Sequence, residues 1–166
     1  MKLKILKIKK CYVTQKWVNW LNDKKVTKYS INRFKKHTIK TQKIFLSNKL
    51  KEKNSILFKI YLNERHIGLI EISKIDKIKK NCYISYFVGE KLLWNKGIGK
   101  IIIKKIKFVV FRNLKLNKIY AGVYSNNLAS INILKYNNFK FSSSVKNFYK
   151  FEKSKVDKIT LKCSRL

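Results

Sequence analysis

The chain has 166 residues, 45% of them apolar, and sets 41 lysines and arginines against 8 acids for a formal charge of +33. Such a length and apolar content suffice for one domain with a real core, and exclude a disordered or fibrous chain. The charge invites a polyanion reading. Three features weigh against specific nucleic-acid binding. Only four of the basic residues are arginine, the better reader of base edges and phosphates. The lysines run along the whole chain instead of forming a tail or stripe. Abundant Ile and Asn beside them fit a bias towards AT-rich codons. Cys11, Cys82 and Cys163 are odd in number, far apart and without metal spacing, as expected of reduced thiols in a cytoplasmic protein. The start "MKLKILKIKK" lacks a signal-peptide core, and no apolar run is long enough for a membrane span.

In chain order, "LKILKI" (3–8) alternates as a first strand. "VTQKWVNWLND" then puts Val13, Trp17, Trp20 and Leu21 on one helical face, with Thr14 as N-cap. After a polar segment, "TQKIFLSNKLK" reads as a second helix with Ile44, Phe45 and Leu50 inward. "SILFKIYL" and "RHIGLIEISKI" are strands joined in a hairpin at Asn63-Glu64, and "NCYISYFVGE" (81–90) is another strand. Residues 97–114 form a long helix burying Ile102, Ile103, Ile106, Val109 and Val110. "KIYAGVYS" is a strand, "NNLASINILKYNN" a short helix, and "FKF", "SVKNFYKFE" and "DKITLKC" close the chain as strands. No proline, linker or repeat interrupts it, so residues 1–166 should form a single domain. The order β-α-α-β-β-β-α-β-α-β-β predicts an α/β (α+β) fold with a mixed, mostly antiparallel sheet flanked by helices.

Between the fourth strand and its helix lies "WNKGIGK", with Gly97 and Gly99 one residue apart. A helix start has unpaired N–H groups and partial positive charge, and glycines let a backbone close on a phosphate. The loop is neither the dinucleotide fingerprint, which needs a third glycine, nor a P-loop, which needs Gly-Lys-Ser/Thr. From these residues alone, a phosphate cradle and a plain helix-start turn stand level.

The spacing from "WNKGIGK" through "IYAGVYS" to "NNLASINILKYNNFKF" resembles the GNAT superfamily of N-acetyltransferases. Gly97 and Gly99 match that family's loop glycines, Asn127 and Ser130 its Asn-x-x-Ser, and Phe139 its closing Phe; Asn126 fits the Asn equally well. "WVNWLNDKKVTKYS" is similar to the first helix of the RimJ/RimL-like branch, where Trp is common at the position of Trp94. "NWLNDKKVTKYSINRFKKHT" also resembles enzymes of surface-polysaccharide gene clusters that acetylate nucleotide-linked amino sugars. The chain departs from the family at two places: Leu134 stands where many members carry a Tyr acid, and Asn138 replaces the closing Gly.

The resemblance implies acetyl-CoA as co-substrate, with no metal. By it, Phe87 and Val88 offer backbone groups to the pantetheine arm, and amides of Asn95, Lys96, Gly97, Ile98, Gly99 and Lys100 hold the pyrophosphate. Asn126 or Asn127 also contacts the cofactor. A general base is required to keep an attacking amine neutral. Glu71, on the strand after the hairpin, is the leading candidate, with His37 beside it. Ser130 is the proton donor to the thiolate. Arg33 stands out because Arg is rare, and with His37, Lys35 and Lys36 it suits the phosphates of a nucleotide sugar. The expected acceptor is a small-molecule amine, first a nucleotide-linked amino sugar, otherwise a protein N-terminus or a polyamine. A basic nucleic-acid-binding protein is the reading from another class. A homodimer is compatible with either.

Overall fold

In the computed structural model, which describes residues 2–165, the elements follow the order read from the sequence. They are β1 (Leu3–Lys7), α1 (Gln15–Asn22), α2 (Ile39–Lys51), β2 (Ile56–Leu62), β3 (Arg65–Asp76), β4 (Asn81–Val88), α3 (Ile98–Phe108), β5 (Lys118–Tyr124), α4 (Leu128–Tyr136), β6 (Lys140–Phe151) and β7 (Ser154–Ser164). One seven-stranded sheet runs β1-β2-β3-β4-β5-β7-β6. Every neighbouring pair is antiparallel except β4–β5, the one parallel contact.

The helices form where caps and apolar faces coincide. The Thr14 hydroxyl accepts from the Trp17 amide at 3.2 Å, and Val13, Trp17, Trp20 and Leu21 are all buried, as the pattern predicts. Thr38 and Thr41 cap α2 reciprocally. The face of α2 differs from expectation: Ile44, Phe45 and Leu50 are exposed, whereas Gln42 and Leu46 point inward. The amide of Gln42 bonds His37 inside the protein, which turns the Leu46 side to the core. In α3, Ile102, Ile103 and Ile106 are fully buried, each stabilising by roughly 1.5–3 kcal/mol. A wide π turn over Val109–Asn113 then ends that run.

Two cores result, one on each face of the sheet. The larger packs α3 and α4 against Ile70, Ile72, Ile84, Ile119 and Leu161. The smaller packs α1 and α2, through Trp17, Val18, Leu21 and Leu46, against Leu57 and Leu69. Asn138, at the end of α4, has φ of 65°, the left-handed conformation for which Gly is usual and Asn is tolerated. Among the described residues no helix is long and apolar enough to cross a membrane.

Candidate active site

Strands β4 and β5 pair only at Asn81↔Lys118, Cys82↔Ile119 and Tyr83↔Tyr120, and beyond them separate. The remainder of β4, as far as Val88, therefore has an unpaired edge towards β5. The Gly89 amide donates to the Ile67 carbonyl at 2.8 Å, and the register pairs Gly68 with Val88. Antiparallel strands alternate between hydrogen-bonded and open pairs, so Tyr86 and Val88 turn their backbone groups to the splay, while Phe87 turns its own to β3. Of the two strand residues expected at the pantetheine arm, only Val88 faces the gap. Its carbonyl accepts from the Trp94 indole at 2.8 Å, which leaves its N–H as the open group. The Phe87 ring packs edge-on to Trp20 on the opposite face.

The loop after β4 delivers α3 to the mouth of this gap. Asn95 and Gly97 are both left-handed, with φ of 61° and 75°. Gly97 is the N-cap of α3, and a Cβ built on it meets nothing within 4 Å. Gly97 is thus required by its backbone angle and looks onto open space above the first-turn amides of Ile98 and Gly99. The Lys100 amide, also expected at the pyrophosphate, instead donates to the Gly97 carbonyl at 3.0 Å, so Lys100 has only its side-chain ammonium to offer. Gly99 has a different reason: its Cβ would lie 2.6 Å from the Ile133 Cδ1, so it lets α3 approach α4. The first turn of α3 carries no acid, and the nearby Glu90 is paired to Lys16 at 2.8 Å. A cradle of left-handed backbone, helix dipole and lysines fits a pyrophosphate.

At the start of α4 the two candidate asparagines separate. The Asn127 side chain caps the helix, accepting from the Ser130 amide at 3.2 Å. The Asn126 Oδ1 is buried with no partner, so Asn126 is the one with a group to offer. The Ser130 hydroxyl lies 3.3 Å from the Tyr86 hydroxyl, across the space between α4 and β4.

On the other side, the segment after α1 meets the ends of β5 and β6. Tyr124 and Tyr149 stack at 3.9 Å, Tyr29 stacks on Phe151 at 5.5 Å, and Tyr29 also meets Tyr124 edge-on. The Arg33 guanidinium lies over the rings of Phe34 and Phe151, and Lys28 and Lys150 cap the same group of rings. Tyr124 is 4% exposed, yet its hydroxyl has no partner; burial raises this phenol above its usual range, opposed by the charge of Arg33. Arg33 lies next to a cluster of flat rings, and its guanidinium also donates to the Lys28 carbonyl at 2.8 Å. The sequence reading missed Tyr29, Tyr124, Tyr149 and Phe151. The alternation of Tyr149 and Phe151 along β6 was the signal that puts both on one face.

Two expected residues have other duties. His37 is 7% exposed; its Nε2 faces the Asn32 carbonyl at 3.0 Å and its Nδ1 faces the Gln42 amide at 3.0 Å. With the Asn22 side chain holding its backbone from the other direction, His37 ties the segment between α1 and α2 together and has no free nitrogen for a substrate. Glu71 accepts from Ser55 and from Lys49, each at 2.9 Å. Burial opposes the charge on Lys49, but Glu71 and Glu52 outweigh it and hold that amine above its usual range. Glu71 is an anchor for α2, not an unengaged base. Among the described residues, six of the eight acids are in ion pairs, leaving Asp76 and Glu152; Glu152 sits beside Phe151 at the tip of the β6–β7 hairpin.

A family model described as an acetyltransferase (GNAT) domain matches residues 14–140. Acetyltransferase PseH of Campylobacter jejuni is 28% identical over 105 residues, 63% of this chain and 64% of its own length, so the match spans just under two thirds of that relative. Among solved structures, the ribosomal alpha-N-protein acetyltransferase RimL in complex with coenzyme A superposes with a TM-score of 0.86 at 12% identity, covering 98% of this chain and 93% of that one. The spermidine N-acetyltransferase of Vibrio cholerae in complex with CoA and spermine gives 0.83 at 15% identity, covering 98% and 95%.

Proposed function

Since the chain belongs to the GNAT acetyltransferases, we propose that it moves an acetyl group from acetyl-CoA to the primary amine of a nucleotide-linked amino sugar. The observation that carries the donor half is the splay of β4 from β5, with the Gly97 cradle at its mouth. The amides of Asn95 to Gly99 and the Lys100 ammonium would hold the pyrophosphate, and Asn126 and the Val88 N–H would face the arm that leads inward. Bound there, acetyl-CoA supplies an activated thioester. The Val88 amide is positioned to donate to a developing oxyanion, and the two ends of the gap align amine and acyl group.

The acceptor half rests on the ring cluster and Arg33. Stacked Tyr29/Phe151 and Tyr124/Tyr149 pairs suit the flat base of a nucleotide, and Arg33 with Lys28 and Lys150 suits its phosphates. A polyamine would meet the cations Arg33, Lys28 and Lys150 over these rings, and of the two acids beside the cluster, Glu152 and Asp157, Asp157 is already paired to Lys146 at 2.9 Å. Calorimetry with acetyl-CoA tests the donor, and thiol release with UDP-glucosamine, spermine and an N-terminal peptide tests the acceptor. Saturable acetyl-CoA binding and fastest release with the sugar nucleotide are expected. Absence of acetyl-CoA binding overturns the reading, and faster turnover of spermine or peptide overturns its acceptor.

A further inference from the structure

We propose that Tyr86 is a positioning residue for proton delivery, acting through Ser130 on the thiol that leaves acetyl-CoA. This rests on the donor reading above. The family's Tyr acid would stand in α4 at Leu134, which is fully buried in the core and has no proton to give. Among the described residues, the only phenol that bonds to α4's Ser130 comes instead from β4. Tyr86 follows Ile84 on the strand face that looks to α3 and α4, and its hydroxyl meets Ser130 Oγ at 3.3 Å. Its own backbone faces the splay, so ring and main chain bracket one space.

The side chain is poised as a neutral donor. Burial raises the Tyr86 phenol above its usual range, partly offset by the bond to Ser130. A phenol kept protonated has one O–H to give, and a serine hydroxyl can accept it while donating its own hydrogen onward. During transfer the amine nitrogen forms a bond to the acetyl carbon, the carbon–sulfur bond breaks, and its electron pair stays on sulfur. Ser130 donates its proton to that sulfur, Tyr86 restores the Ser130 proton, and the proton lost by the amine returns through solvent to Tyr86. No net charge is left on the protein.

The test compares CoA with desulfo-CoA, which lacks the thiol, by calorimetry at pH 8.5, where part of the thiol is ionised. Wild type is expected to prefer CoA by roughly fivefold or more, through hydrogen bonds to a charged sulfur. Tyr86→Phe keeps the ring and should lose most of that preference while binding desulfo-CoA normally. Thiol release from acetyl-CoA with UDP-glucosamine should then fall by about tenfold or more in kcat, with the acetyl-CoA KM little changed. In a Ser130→Ala background the Tyr86→Phe change should add nothing. A wild type that binds CoA without preference, or a Tyr86→Phe variant that keeps it, overturns this inference alone. So does an additive double variant, or a KM that falls at unchanged kcat, which would make the bond a plug in the gap. Failure of wild type to bind CoA at all overturns the donor reading itself.

Discussion

The two ends proposed for the site are built from different materials. The proposed donor end is largely main chain: an unpaired strand edge at Val88, a left-handed glycine and the first turn of a helix. The proposed acceptor end is side chain: four stacked rings, a guanidinium over one of them and over Phe34, and a buried hydroxyl with no partner. Main-chain recognition tolerates wide sequence change so long as angles and helix positions persist. Side-chain recognition does not. The fold is accordingly shared with proteins at 12–15% identity.

The sharpest break of that contrast is at Gly97. Its absent Cβ faces open space, so Gly97→Trp fills the cradle without disturbing the core. Acetyl-CoA affinity should fall by about a hundredfold or more, from lost phosphate bonds and an indole filling the cradle, while roughly 1–2 kcal/mol of left-handed strain falls on folding stability. Calorimetry measures it, and an unchanged affinity would remove the loop from the donor site. Next in size is Arg33→Ala, which should raise the KM for UDP-glucosamine about tenfold or more and leave acetyl-CoA binding as it was. If both affinities move together, the two ends are not separable. Gly99→Val gives a smaller and different effect. It intrudes on Ile133 and should lower stability by about 1–3 kcal/mol in urea denaturation, with acetyl-CoA affinity retained by the folded fraction.

The same division decided what could be read from the sequence. The eleven-element order was legible because strand and helix periods differ and the cap at Thr14 is local, whereas the Thr38 cap, which starts α2 two residues before the Thr41 expected, was not read. The Gly-x-Gly loop was legible as a motif, although its two glycines turned out to serve a turn and a helix contact respectively. The choice between Asn126 and Asn127 was not, since it depends on which side chain the helix start consumes. Glu71 and His37 had suitable chemistry, but their hydrogen-bond partners Lys49, Ser55, Asn32 and Gln42 come from separate segments. The inward face of α2 failed for a related reason, because a buried Gln42 held by His37 outweighed the exposed Ile44 and Phe45. Ring clusters gathered from β5, β6 and the α1–α2 segment have no sequence spacing at all.

The two ends meet structurally at Trp20. This α1 side chain sits edge-on to His66 at 5.0 Å and lies against Gly89, where a Cβ would come within 2.1 Å of its ring. Gly89 leads directly into the donor loop, and α1 leads into the segment carrying Arg33. Burial, reinforced by the charge of Lys59, lowers the His66 pKa to about 4, with its Nε2 facing the Gly68 carbonyl at 3.1 Å. An unfolded chain would protonate this residue near 6.5. The unfolded state thus binds more protons between those values, and folding stability should fall as pH drops from about 6.5 towards 4. Above that window His66 contributes no pH dependence. The expected loss is modest because the ring is only partly shielded from water. Urea midpoints at pH 7 and pH 4.5 should differ less in His66→Gln than in wild type. If the link through Trp20 joins the two ends, acetyl-CoA and UDP-glucosamine affinities should weaken together over the same window; a loss confined to one ligand would show that the two ends are held independently.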